Sequence, residues 1–167
     1  HAPGQCCLGF LYESGQGVDQ SWQDAVRWYQ ASAEQGYPRA QCNLAWCYEH
    51  GEGVEKDQAE AARLYREAAD QDYPRGLLCL GFCYERGRGV PAEAARLYRR
   101  GAELGDEDAM CCLGFLYETG EGVDQSWEEA VNWYRRSAEA GSARAQCNLA
   151  WCLENGKGSE QDLTAAL

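Results

Sequence analysis

The chain has 167 residues, 45% of them hydrophobic, and carries a net charge of -12. That size and composition suit one ordinary domain with a real core, which excludes a disordered chain and a fold held together only by disulfides. The acidic surface shows no basic patch, so nucleic acid is excluded as an expected partner, and no apolar run approaches the roughly 20 residues of a membrane helix.

Five helical hairpins are predicted, over about residues 4–36, 37–72, 73–105, 106–141 and 142–167, the last incomplete. Their punctuation is a Gly-x-Gly pair at Gly15/Gly17, Gly51/Gly53, Gly87/Gly89, Gly120/Gly122 and Gly156/Gly158, spaced 36, 36, 33 and 36 residues apart. In the first hairpin, helix A carries Cys6-Cys7-Leu8-Gly9-Phe10-Leu11-Tyr12. Helix B opens at Ser21-x-x-Asp24, a loose capping box, continues through Ala25, Trp28, Tyr29 and Ser32, and is closed by Gly36.

In the second hairpin, helix A is predicted from about Pro38 to His50, with Ala40, Leu44, Cys47 and Tyr48 on its apolar face and Gly51 ending it. Asp57-x-x-Glu60 caps helix B, whose Ala61, Leu64, Tyr65 and Ala68 repeat the apolar pattern, and Asp72 stands where a glycine closes the other hairpins. The third hairpin runs straight from Val90 to Pro91, so three loop residues are missing and proline takes the first-turn position. The fourth returns the first: Cys111 to Tyr117 reproduces Cys6 to Tyr12, and Ser126-x-x-Glu129 is its capping box. In the fifth, Arg144 to Cys152 reproduces Arg39 to Cys47. Both copies lie 105 residues on, the length of three repeats, so a three-repeat block reads as duplicated in register.

The pattern Ala-x-x-x-Leu-Gly-x-x-Tyr-x-x-Gly-x-Gly-Val followed by Ala-x-x-x-Tyr-x-x-Ala resembles the Sel1-like repeat family, a branch of the tetratricopeptide-like helical repeats. Leu8-Gly9, Leu80-Gly81 and Leu113-Gly114 carry the helix A part of the match, and Ala45 and Ala150 replace the glycine with another small residue. The resemblance covers the whole chain. It implies an all-α fold, a right-handed α/α superhelical solenoid of about five helix-turn-helix repeats forming one domain over 1–167. It also implies adaptor or scaffold work without chemistry of the repeat's own, with no cofactor.

A candidate partner face follows from the helical wheel. At about 100° per residue, Cys42 and Trp46 lie about 160–200° from Leu44, on the side away from the expected core. That column reads Phe10, Trp46, Phe82, Phe115 and Trp151. The column before it holds Cys6, Cys42, Leu78, Cys111 and Cys147, of which Cys42 and Cys147 are taken as site candidates. One turn on stand Glu13, Glu49, Glu85, Glu118 and Glu154. In related helical repeats this side of helix A lines the concave groove. An aromatic floor edged by acids suits a protein or peptide with apolar anchors and some Arg or Lys. The competing reading is that the aromatics pack between successive A helices, and the acids are a solvated face that aids solubility. Arg39, Arg75 and Arg144 stand one residue before the Ala or Gly of helix A, placed for ion pairs within the stack or with a partner.

Ten cysteines admit three readings. Within the family, a cysteine-rich secreted branch pairs a helix B cysteine with one at the next helix A. No cysteine falls in any helix B here, where Ser32, Ala69, Ala102 and Ser137 stand instead. Cys42 and Cys47 point about 140° apart, and equivalent thiols in successive repeats should lie roughly 10 Å apart, beyond the disulfide limit of about 7 Å. Metal is the second reading, but no Cys-x-x-Cys occurs and His1 and His50 are the only histidines, so no metal is expected. Free thiols acting as small apolar side chains are the third and the favoured reading, and imply a reducing, cytoplasmic setting.

No catalytic constellation emerges. Gly-x-Ser-x-Gly and Ser-x-x-Lys are lacking, and the Gly-x-Gly turns follow helices without the Lys-Ser/Thr of a phosphate loop. The expected function is therefore non-catalytic protein or peptide binding. The alternative is a secreted cysteine-rich Sel1-repeat protein with enzyme-like or small-ligand binding activity. Starting at His1 and stopping part-way through a helical pattern, the chain reads as part of something longer.

Overall fold

A computed structural model of the chain describes residues 1–87 and 91–158. Among the described residues there are nine helices and no strand: α1 (Ala2–Ser14), α2 (Trp22–Ala33), α3 (Pro38–His50), α4 (Gln58–Ala69), α5 (Pro74–Gly87), α6 (Pro91–Glu103), α7 (Glu107–Thr119), α8 (Trp127–Glu139) and α9 (Ala143–Glu154). The odd-numbered helices are the A helices and the even-numbered ones the B helices. The third Gly-x-Gly loop at Gly89 and the final helix expected over 162–167 lie outside the described residues.

The helix boundaries follow from local chemistry. Ser21 and Ser126 accept from the backbone N–H of Asp24 and Glu129, and Asp57 accepts from those of Ala59 and Glu60, so each expected box starts its B helix. α3 begins at Pro38, where the missing N–H costs nothing, and ends at Gly51 in the left-handed conformation. Asp72 takes the corresponding left-handed turn after α4 with a φ of 56°, the one non-glycine to do so among the described residues.

Two compact units divide the chain, His1–Leu80 and Gly81–Leu167. In the first, α1 packs on α2, α2 on α3 and α3 on α4; in the second, α6 packs on α7, α7 on α8 and α8 on α9. Each unit is centred on B-helix tyrosines. Tyr29 and Tyr65 fill the first, Tyr98 and Tyr134 the second, all of them buried. Each buried ring removes enough apolar surface from water to contribute of order 2 kcal/mol.

The Leu-Gly motif exists for those rings. A Cβ built on Gly114 would lie 2.8 Å from the ring of Tyr134, and one on Gly81 would press into Tyr98. In repeat two the position holds Ala45, fully buried, and Tyr65 is still buried beside it.

Candidate partner-binding face

The carboxylates one turn beyond the aromatics face inward. Glu118 accepts a 2.6 Å hydrogen bond from the Tyr134 hydroxyl, Glu85 one of 2.5 Å from Tyr98, and Glu49 one of 2.9 Å from Tyr65; Glu13 accepts from Tyr29 in the same way. The longest of these three bonds belongs to the repeat with Ala45 in place of glycine. Burial raises the pKa of all four tyrosines, and the neighbouring glutamates raise it further. Four acids expected on a groove edge thus latch helix A to helix B of their own hairpin. Glu154, in the same register, is exposed.

Cys42 is corrected more sharply. It is 1% exposed, as are its neighbours Ala40 and Ala45 at 0%, so the thiol expected on the face is interior. The helical wheel assumed one covered side, but α3 is covered on two. α2 lies against it on one side and α4 on another, and the side toward α5 places Cys79 and Arg75 near Cys42. Burial pushes the Cys42 thiol up to about 12. Cys147, its counterpart in α9, is exposed.

The aromatic column divides by environment. Phe10 and Trp151 remain 40% and 47% exposed. Trp46 is half-buried, stacked between Trp22 at 5.5 Å and His50 at 4.2 Å. Phe82 meets the ring of Tyr98 edge-on at 5.8 Å, with the Arg86 guanidinium 5.7 Å from its centre. Phe115 packs against the buried cluster of Cys111, Ala130, Val131, Tyr134, Ala145 and Cys152. Trp46, Phe82 and Phe115 are therefore half-buried in packing within their own units, while Phe10 and Trp151 keep ring surface open.

Wheel reasoning missed Trp22 and Trp127, the first residues of two B helices. Trp127 lies 6.0 Å from Trp151 as Trp22 lies by Trp46. The second glycine of three loops, Gly53, Gly122 and Gly158, lies close against the backbone at the start of the preceding B helix. A Cβ on Gly53 would clash with Trp22, and one on Gly158 with Trp127. Positive φ adds a second reason for glycine at both. The available signal was the recurrence of Trp22 as Trp127 in the duplicated block.

Arg39, Arg75 and Arg144 are exposed and lie near thiols of the preceding A helix, where they partly offset the upward push of burial on Cys6, Cys42 and Cys111. Asn43 and Asn148 each donate to one of those thiols, Cys6 and Cys111, at 3.8 Å. No disulfide joins described residues, and no three His, Cys, Asp or Glu among them converge on a metal position. No described helix is long and apolar enough to cross a membrane.

The model of the Sel1 repeat matches residues 2–37, 38–73, 77–106, 107–142 and 143–167. The chain belongs to the Sel1 repeat family. A Sel1 repeat protein from Oxalobacter formigenes superposes with a TM-score of 0.92 at 36% identity, over 99% of this chain and 67% of that one. A protective antigen of uropathogenic Escherichia coli strains displaying the same fold gives 0.92 and 36%, over 99% of this chain but only 36% of its own. The chain thus spans part of each relative. Cysteine rich protein B of Helicobacter pylori, at 22% identity and a TM-score of 0.62, shares the fold alone. No curated protein matches the chain. The all-α Sel1 repeat superhelix is accordingly its fold class, one typically used as a non-catalytic protein-interaction scaffold.

Proposed function

We propose that this Sel1 repeat chain is a non-catalytic adaptor module that holds a protein or peptide on the open aromatic surface of its A helices. The observation that carries this reading is the exposure of Phe10 and Trp151, in the column where Trp46 is half-buried. In the same helices the flanking register is filled and buried, as at Ala40, Cys42, Leu44 and Cys47 around Trp46. Rings left open beside a closed core are where binding energy concentrates in interfaces. A net charge of -12 favours partners that bring arginine or lysine alongside apolar anchors.

The test is capture of a partner by the full-length protein and by its Trp46→Ala, Trp151→Ala double variant, with folding monitored by circular dichroism. The variant is expected to lose at least about tenfold in affinity, on the scale of a hot-spot aromatic. Undiminished capture by a folded double variant would overturn the reading.

A further inference from the structure

The duplicated block places one aromatic site in each unit, and the two copies differ at one charged position. In the second unit, the Lys157 ammonium stands 4.9 Å from the centre of the Trp127 ring, and Trp127 lies against Trp151. The residue 105 positions earlier is Glu52. It follows Gly51 as Lys157 follows Gly156, at the end of the helix whose Trp46 and His50 rings stack with Trp22.

The two residues hold equivalent backbone positions: the Glu52 N–H donates to the Cys47 carbonyl oxygen at 3.1 Å and the Lys157 N–H to that of Cys152 at 2.8 Å. Glu52 acts on Cys47 and Lys157 on Cys152, the matching buried thiols at the ends of α3 and α9, with opposite sign: after burial and the Glu13 charge, Glu52 raises the first, whereas Lys157 lowers the second. The flanking polar contact is also matched, since His50 Nδ1 lies 2.9 Å from the Trp46 carbonyl oxygen and Asn155 donates to that of Trp151 at 2.8 Å. Lys56, the other lysine of the chain, packs its Cβ near Gly51, and its ammonium is not among the cations found over an aromatic ring in the described residues.

We infer that the Trp22–Trp46–His50 stack with Glu52 is a receiving site for an arginine side chain of a protein partner, in the place that Lys157 fills from within the chain in the other copy. A planar guanidinium stacks on an indole face and pairs with a carboxylate at its edge, which an ammonium does less well. The second copy is closed by its own cation; the first presents the same rings and the opposite charge. This inference rests on the adaptor reading and names the chemistry its partner brings to one subsite.

The experiment follows the tryptophan indole N–H resonances of the whole chain during titration with a capped hexa-arginine peptide at low salt, with hexaglutamate as control. Trp22 and Trp46 are expected to shift, and hexaglutamate to leave them in place. Glu52→Lys, which supplies the internal cation, is expected to weaken the arginine response about tenfold. Glu55→Lys, the same charge change on an exposed residue of the same loop, is expected to stay within about twofold. Lys157→Glu is expected to bring Trp127 and Trp151 into the response. The inference is overturned by unmoved Trp22 and Trp46, by Glu52→Lys titrating like Glu55→Lys, or by a Lys157→Glu chain whose Trp127 stays silent. Capture that depends on Trp46 in a chain whose indoles ignore hexa-arginine removes this inference and leaves the adaptor reading standing. Undiminished capture by the Trp46→Ala, Trp151→Ala variant, beside an intact indole response in the unaltered chain, removes the adaptor reading and leaves arginine binding by the stack.

Discussion

The Tyr–Glu latch is the smallest unit that holds this fold. Tyr134 is fully buried, its ring seated on Gly114 and its hydroxyl on Glu118 at 2.6 Å. Changing Tyr134 to Phe keeps the ring and removes the donor, leaving a half-buried carboxylate short of one hydrogen bond. Hydrogen bonds to charged groups contribute about 1.5–3 kcal/mol, so Tyr134→Phe is expected to lower stability by about 2 kcal/mol in urea unfolding. An unchanged midpoint would show that water replaces the phenol at no cost. The latch left a trace in the sequence: donor and acceptor are 16 residues apart in three repeats and 13 in the third, where three loop residues are missing. Only the folded hairpin explains why those two columns keep step.

At the scale of the element, the caps decide where each helix stops. Gly36, Gly105 and Gly141 adopt positive φ after their B helices, and Asp72 does so in their place after α4. A non-glycine residue there carries roughly 1 kcal/mol of strain. Asp72→Gly is therefore expected to raise the thermal midpoint, with a gain of up to about 1 kcal/mol less the extra freedom of the unfolded chain. A lower midpoint would mean that the aspartate side chain contributes more than its backbone costs. The helix spans themselves were legible: α3 was expected from about Pro38 to His50 and is found there, because proline, the apolar spacing and Gly51 act within one turn. The surroundings of Arg39, Arg75 and Arg144, expected to be acids of the stack or of a partner, were not legible in the same way, since the thiols found near them belong to the preceding hairpin.

For the whole molecule, buried protons set the response to alkali. Burial pushes Cys42, Cys47 and Cys112 up to about 12 from 9.0, Cys152 up to about 11, and the four core tyrosines above their ordinary 10.0. The folded chain keeps these protons at pH values where the unfolded chain has released them. Their contribution is whole below about pH 9 and is lost as pH climbs toward about 12. Urea midpoints are expected to hold between about pH 7 and 8.5 and to fall steadily from about pH 9 to 11; a flat profile would contradict the burial of these groups. Thiol chemistry adds a second measurement. Unreduced protein, denatured and titrated, is expected to yield close to all ten thiols, and a yield near zero would move the chain to the cysteine-rich, disulfide-bonded branch of its family.

The amino-acid sequence by itself determined the repeat length, the helix ends, the capping residues and the family, because each depends on residues within one hairpin. It also pointed to the aromatic column from which Phe10 and Trp151 emerge as open rings. Tertiary structure alone decided which of those positions face solvent. Arg39 to Cys47 and Arg144 to Cys152 are the same nine residues, yet Cys42 is 1% exposed and Cys147 lies open. A helical wheel fixes the angle at which a side chain leaves its own helix. Burial depends on how many other helices lie in that direction, and α3 has neighbours where α9, among the described residues, has none following it.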